Sequence, residues 1–169
     1  MSEDYSRVLS VSCTKEFDVD SSTLWNLIST PTILRECHPF CESNEVLQWD
    51  EHAHSDRLVY LNGLTYIRRF QTWSEECGYT LIIGEENRAQ SYVIWEIDSL
   101  RESHSQLTIT VYPFILARLP KPLAFFPHIL WVRPRLKAYL KSVLSGFHYR
   151  IENNQPVPRN HFGQHPWFS

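Results

Sequence analysis

The stretch PRLKAYLKSVLSGFHYRI, residues 134–151, decides the fold class. Leu136, Leu140, Val143, Leu144, Phe147 and Ile151 recur three, four and seven positions apart, so they share one stripe of a helix. Arg135, Lys137 and Lys141 fall away from that stripe. A long helix with one apolar face needs a second layer to cover it. The preceding residues supply one with a different period: from Glu45 to Tyr112 apolar side chains recur at every second position, as in half-buried strands. Gly146 interrupts the helix at a cost of about 1 kcal/mol relative to Ala. Either a close approach by the sheet or a ligand, or a relaxed helix bend, accounts for it.

Towards the N-terminus the same reading continues. Arg7 to Val19 alternates, with Val11, Cys13, Phe17 and Val19 on one side of a strand. Asp20, Ser21 and Ser22 offer N-caps for a helix whose apolar face carries Leu24, Leu27 and Ile28. Thr30-Pro31 starts a second short helix, with Thr30 as cap and Pro31 in the first turn, and Pro39 stops it near His38. The order is strand, two short helices, a run of strands and one long helix. That order predicts an α+β fold, a curved antiparallel sheet closed by its last helix. Such layers tend to leave room between them.

Within the strand run the firmest turn is Leu61-Asn62-Gly63-Leu64, read as a two-residue hairpin loop with both central residues at positive φ. That pairing puts Leu58 opposite Ile67 and Asp56 opposite Arg69. Further turns are expected at Glu75–Gly78, Gly84–Ala89 and Arg101–His104. Without bulges, the odd-numbered residues from Ile67 to Val111 form the inner face, and a single bulge would invert part of it.

The segment Phe17-Asp-Val-Asp-Ser-Ser-Thr-Leu-Trp-Asn-Leu-Ile-Ser-Thr-Pro, continued by Leu34 and His38-Pro39, resembles the opening of the START, pollen-allergen and polyketide-cyclase superfamily (SRPBCC). The ending, Leu136-Lys-Ala-Tyr-Leu-Lys-Ser-Val-Leu-Ser-Gly146, is similar too. The resemblance covers roughly residues 7–152. It implies the helix-grip fold, with a hydrophobic cavity between sheet and last helix. Superfamily members bind lipids, sterols, plant metabolites or polyketides, and a minority catalyse cyclisation or aromatisation. No superfamily-wide catalytic residue carries over. Residues 1–153 are expected to form one helix-grip ligand-binding domain, with the aromatic tail 154–169 docked on it.

On the expected inner face Arg69 and Gln71 stand out among apolar neighbours. An Arg there orients the polar end of an amphipathic ligand; equally, Arg69 pairs with Asp56 across the hairpin. Trp73, Tyr79, Leu81, Val93, Trp95 and Ile109 on the strands, with Leu140, Val143 and Phe147 on the last helix, complete the candidate ligand wall. The aromatics among them either line the cavity or fill it. His38, Arg69 and Tyr79 are the proton-handling candidates if the cavity hosts a cyclase-like enzyme, although a capping or core role suits His38 better. The expected ligand is a hydrophobic, lipid-like small molecule.

Composition bounds the rest. The chain has 169 residues, 43% hydrophobic and 21% charged, enough for one domain with a sizeable core. Charge is split: residues 1–104 carry 18 acids and 8 bases, whereas 105–169 carry 1 acid and 8 bases. The basic part is either a surface for an anionic partner or a solvated helix face. Cys13, Cys37, Cys41 and Cys77 show no paired spacing, and no export leader opens the chain, so a cytoplasmic protein with reduced thiols is expected. Cys37, His38 and Cys41, with His52 and His54 further on, lack the paired spacings of structural zinc, and no metal is expected. The five glycines are isolated, so no nucleotide-binding loop and no cofactor is expected, and an acidic first two-thirds argues against nucleic acid. The apolar segment 113–132 is broken by prolines and cannot span a bilayer as a helix. It reads as a lid touching anionic lipid, a homodimer contact or partner-binding surface, or an insertion packed on its own domain.

Overall fold

The computed structural model describes residues 9–115 and 120–169. Arg7 and Val8, at the start of the expected first strand, and residues 116–119 of the proline-rich segment lie outside the described residues. Strand β1 (Val11–Phe17) is followed by helices α1 (Ser21–Ile28) and α2 (Leu34–Cys37). Six strands come next: β2 (Cys41–Trp49), β3 (His54–Tyr60), β4 (Thr65–Ser74), β5 (Gly78–Gly84), β6 (Ser91–Arg101) and β7 (His104–Tyr112). Helix α3 (Lys121–Pro127) runs through a π-helical turn (His128–Val132) into the long helix α4 (Arg133–Asn153). The strands form one antiparallel sheet in the order β1-β7-β6-β5-β4-β3-β2.

Local chemistry explains most of these elements. The Asp20 carboxylate accepts the Thr23 N–H at 2.6 Å and caps α1. Thr32 sits at φ 62°, so the chain after Thr30-Pro31 stays irregular and α2 begins only at Leu34. On β1, Ser12 and Thr14 pair their hydroxyls with Thr110 and Thr108 on the wet face, while Val11 and Phe17 are buried. Leu136, Leu140, Val143, Leu144 and Phe147 of α4 are all buried against the sheet. Each stabilises the packing by about 1.5–3 kcal/mol. The helical path extends N-terminally beyond the expected start of α4, through a π-helical turn flanked by Pro127 and Pro134, two residues that lack an N–H.

Two local irregularities correct the expected inner face. The β3–β4 loop has three residues, Leu61-Asn62-Gly63: Gly63 N–H donates to the Tyr60 carbonyl at 2.9 Å, and only Gly63, at φ 86°, is left-handed. Val59 therefore faces Thr65, Leu58 faces Tyr66, and Asp56 faces Arg68 rather than Arg69. A bulge at Gln71, between the Phe70–Leu81 and Thr72–Thr80 pairs, then restores the odd-numbered residues to the inner side from Trp73 onward.

The C-terminal tail lies along the body of the protein. Val157 N–H donates to the Glu36 carbonyl at 2.8 Å and Asn160 N–H to the Pro39 carbonyl at 2.9 Å. Asn62 Nδ2 donates to the Trp167 carbonyl at 2.8 Å, which ties the tail to the β3–β4 hairpin.

Candidate functional site

Between sheet and α4 lies a cavity of about 390 Å³. Leu58 of β3, Leu81 and Ile83 of β5, Val93 and Trp95 of β6, and Ile109 and Val111 of β7 form the sheet wall. Leu136, Leu140 and Val143 of α4 form the opposite wall, and Leu34 closes it from α2. Trp131, ahead of α4, and Trp167 of the tail stand together at the cavity, their rings 5.4 Å apart. This is a shaped space, walled mainly by apolar side chains, of the kind that takes apolar small molecules.

One cationic side chain interrupts it. Arg68 lines the cavity but is held by Asp56, its Nε donating to Oδ1 at 2.7 Å and its terminal nitrogen bonding Oδ2. Both side chains are buried, 6% and 0% exposed. Burial alone would lower the guanidinium pKa, but the Asp56 charge and hydrogen bonds outweigh it and raise it.

Beside this pair runs a hydrogen-bonded chain of three cavity-lining groups. Phe40 N–H donates to His38 Nδ1 at 3.2 Å, so the ring proton sits on Nε2, 2.8 Å from Tyr139 Oη. Tyr139 Oη lies 3.1 Å from Tyr60 Oη. Burial, with Arg68 nearby, pushes the His38 pKa down to about 3, so its ring is neutral at ordinary pH. Burial also raises the pKa of both tyrosines, which stay protonated. Phe168 of the tail stacks on Tyr60 at 4.4 Å and packs on Tyr139 at 4.5 Å.

The expected site residues divide cleanly. Leu81, Val93, Trp95, Ile109, Leu140, Val143 and His38 line the cavity. Arg69 and Gln71 do not: Arg69 pairs with Ser55, and Gln71 is the exposed bulge residue. Trp73, Tyr79 and Phe147 lie beyond the cavity wall, where aromatic rings fill the space under α1. Trp25 meets Trp73 at 5.2 Å, Trp73 stacks on Tyr79 at 5.4 Å, and Trp95 meets Phe147 at 5.5 Å. The Tyr79 hydroxyl donates to the Ile28 carbonyl at 3.5 Å. Arg68, Tyr60, Tyr139, Trp167 and Phe168 are among the lining residues outside the expected wall. Tyr139 stands three positions after Leu136, a spacing that would have placed it beside the stripe.

The Cys37 and Cys41 thiols are buried, and burial raises both, Cys41 to about 12, which keeps them protonated. No cluster of three His, Cys, Asp or Glu side chains gathers among the described residues. No described helix is long and apolar enough to cross a membrane.

No protein-family model and no curated protein matches the chain. Solved structures do match. A START superfamily protein from Mycobacterium smegmatis superposes with a TM-score of 0.67 at 14% identity, over 86% of this chain and 98% of that one. A protein from Thermus thermophilus gives 0.68 at 13% identity, over 86% and 99%. The fold is the START-type helix-grip. The Zhui aromatase/cyclase from Streptomyces sp. R1128 shares this START-type fold, with a TM-score of 0.62 at 16% identity over 89% of this chain and 99% of that one. At these identities the likeness is one of fold, so the chemistry of the START-type cavity must be argued from its own side chains.

Proposed function

We propose that the protein binds and carries a hydrophobic, lipid-like small molecule in the cavity between sheet and α4. The observation that carries this reading is a volume of about 390 Å³ bounded mainly by apolar side chains. What favours a carrier over a cyclase is the state of the polar groups. Both His38 ring nitrogens are committed, and a pKa near 3 makes its ring a poor base. Tyr79 lies outside the cavity wall. Native mass spectrometry of freshly purified protein, followed by solvent extraction, tests the reading. A stoichiometric co-purified apolar molecule is the expected result; turnover of a polyketide-like substrate lost in His38→Ala, with the fold retained, would replace it with the enzyme.

A carrier must exchange its cargo, and α3 with the π-helical turn offers the surface. Leu123, Phe126 and Leu130 are 66%, 69% and 74% exposed, and Trp131 is both exposed and at the cavity. No Asp or Glu occurs between Glu102 and Glu152, while Arg133, Arg135 and Lys137 follow the apolar face directly. Apolar side chains beside an all-basic flank suit a membrane surface rich in anionic lipid. Phe126→Glu/Leu130→Glu is expected to abolish sedimentation with phosphatidylglycerol-rich vesicles and leave thermal stability unchanged. Undiminished sedimentation would sink the membrane contact. A wild-type dimer that this variant splits would assign the face to a second copy of the chain instead.

A further inference from the structure

We infer that the cargo is an uncharged amphiphile whose polar end is a ketone or hydroxyl oxygen seated against the Tyr60–Tyr139 pair. The inference rests on the carrier reading and names its ligand class. Its first support is a count of hydroxyl hydrogens. With His38 Nδ1 occupied by the Phe40 N–H, His38 must donate through Nε2, and Tyr139 Oη accepts. Tyr60 and Tyr139 carry two hydroxyl hydrogens, and the single bond between them uses one. Whichever ring donates, one hydroxyl hydrogen is left unspent among the described residues, on a group that lines the cavity. A donor facing an apolar space gains most from an acceptor oxygen brought in by the ligand.

The second support is charge. Arg68 is the one Lys or Arg on the described wall, and Asp56 already neutralises it. The wall's one carboxylate, Glu85, offers an anion nothing but repulsion. His38 and the two tyrosines are neutral. A carboxylate or phosphate head would therefore lose its water without gaining a free cation, whereas a neutral oxygen loses little and gains a hydrogen bond. The third support is preorganisation. Phe168 packs on both tyrosine rings, so the donor is held in place before a ligand arrives.

The test uses four chains of one length, dodecanol, a dodecanone, dodecanoate and dodecane, delivered from cyclodextrin at pH 8 and followed by tryptophan fluorescence. Dodecanol and dodecanone are expected to bind about tenfold more tightly than dodecane or dodecanoate, the yield of one buried hydrogen bond. In Tyr60→Phe/Tyr139→Phe that advantage should vanish while dodecane affinity stays. Four equal affinities, or dodecanoate as the tightest, would overturn the inference in the wild-type protein alone and leave the carrier reading standing. Binding of none of the four would overturn both.

Discussion

Asp56→Asn is expected to cost the fold about 3–5 kcal/mol, the price of leaving Arg68 buried without its counter-charge. The two side chains face each other across β3 and β4 and are almost wholly enclosed, so bulk water does little to screen the orphaned charge. Phe70, whose ring lies 5.2 Å from the Arg68 guanidinium, offsets only part of the charge. Urea denaturation measures the loss, and a change below about 1 kcal/mol would mean that the pair is not desolvated as its burial implies. The same variant should also change what the cavity accepts. A freed Arg68 gives the wall a cation, so dodecanoate should raise the melting temperature of Asp56→Asn and leave that of the wild type unmoved. Equal stabilisation of both proteins would show that Asp56 does not set the charge preference. Asp56→Leu/Arg68→Met removes both charges and is expected to be far less destabilised than the single variant, which separates the cost of an orphaned charge from the worth of the pair.

The sequence alone pairs Asp56 with the wrong arginine for a simple physical reason. Arg68 and Arg69 are adjacent, and only the strand register says which of them points inward. Asn62-Gly63 fits a two-residue loop and a three-residue loop equally well; the choice hangs on whether Asn62 also takes positive φ, and it does not. One residue of slip exchanges Arg69 for Arg68 and hides Tyr66 from the expected wall. The bulge at Gln71 then cancels the slip, which is why the odd-numbered residues of β5, β6 and β7 are legible as cavity wall while those of β4 are not. Element order and the α4 stripe are legible because each rests on a period repeated many times. The tail is not: its aromatics announce contact, but nothing in an aperiodic run says that Phe168 will stack on Tyr60. Nor does a proline-rich run announce a helix, since Pro127 and Pro134 each lack the N–H that a helix interior uses.

Gly146→Ala is the second large effect, and its sign decides between two accounts of the residue. On helix propensity alone the change should stabilise α4 by about 1 kcal/mol. In the folded protein, however, a Cβ at this position would stand 1.9 Å from the Cys37 carbonyl oxygen and 3.1 Å from both the Cys37 carbonyl carbon and Pro39 Cδ. The obstacle is backbone at the end of α2, so no rotamer change can relieve it. Helix α4 and α2 would have to separate, at a cost of about 3 kcal/mol or more. The close approach thus comes from α2, neither the sheet nor a ligand. It matters to the site because α2 carries Leu34 and hands on to His38, both on the cavity wall. Moving α2 away from α4 should pull His38 Nε2 from Tyr139 Oη, so any Gly146→Ala protein that folds should lose the preference for dodecanol over dodecane as well as stability. A gain in stability by chemical denaturation would overturn the packing account, since propensity would then be the only term left.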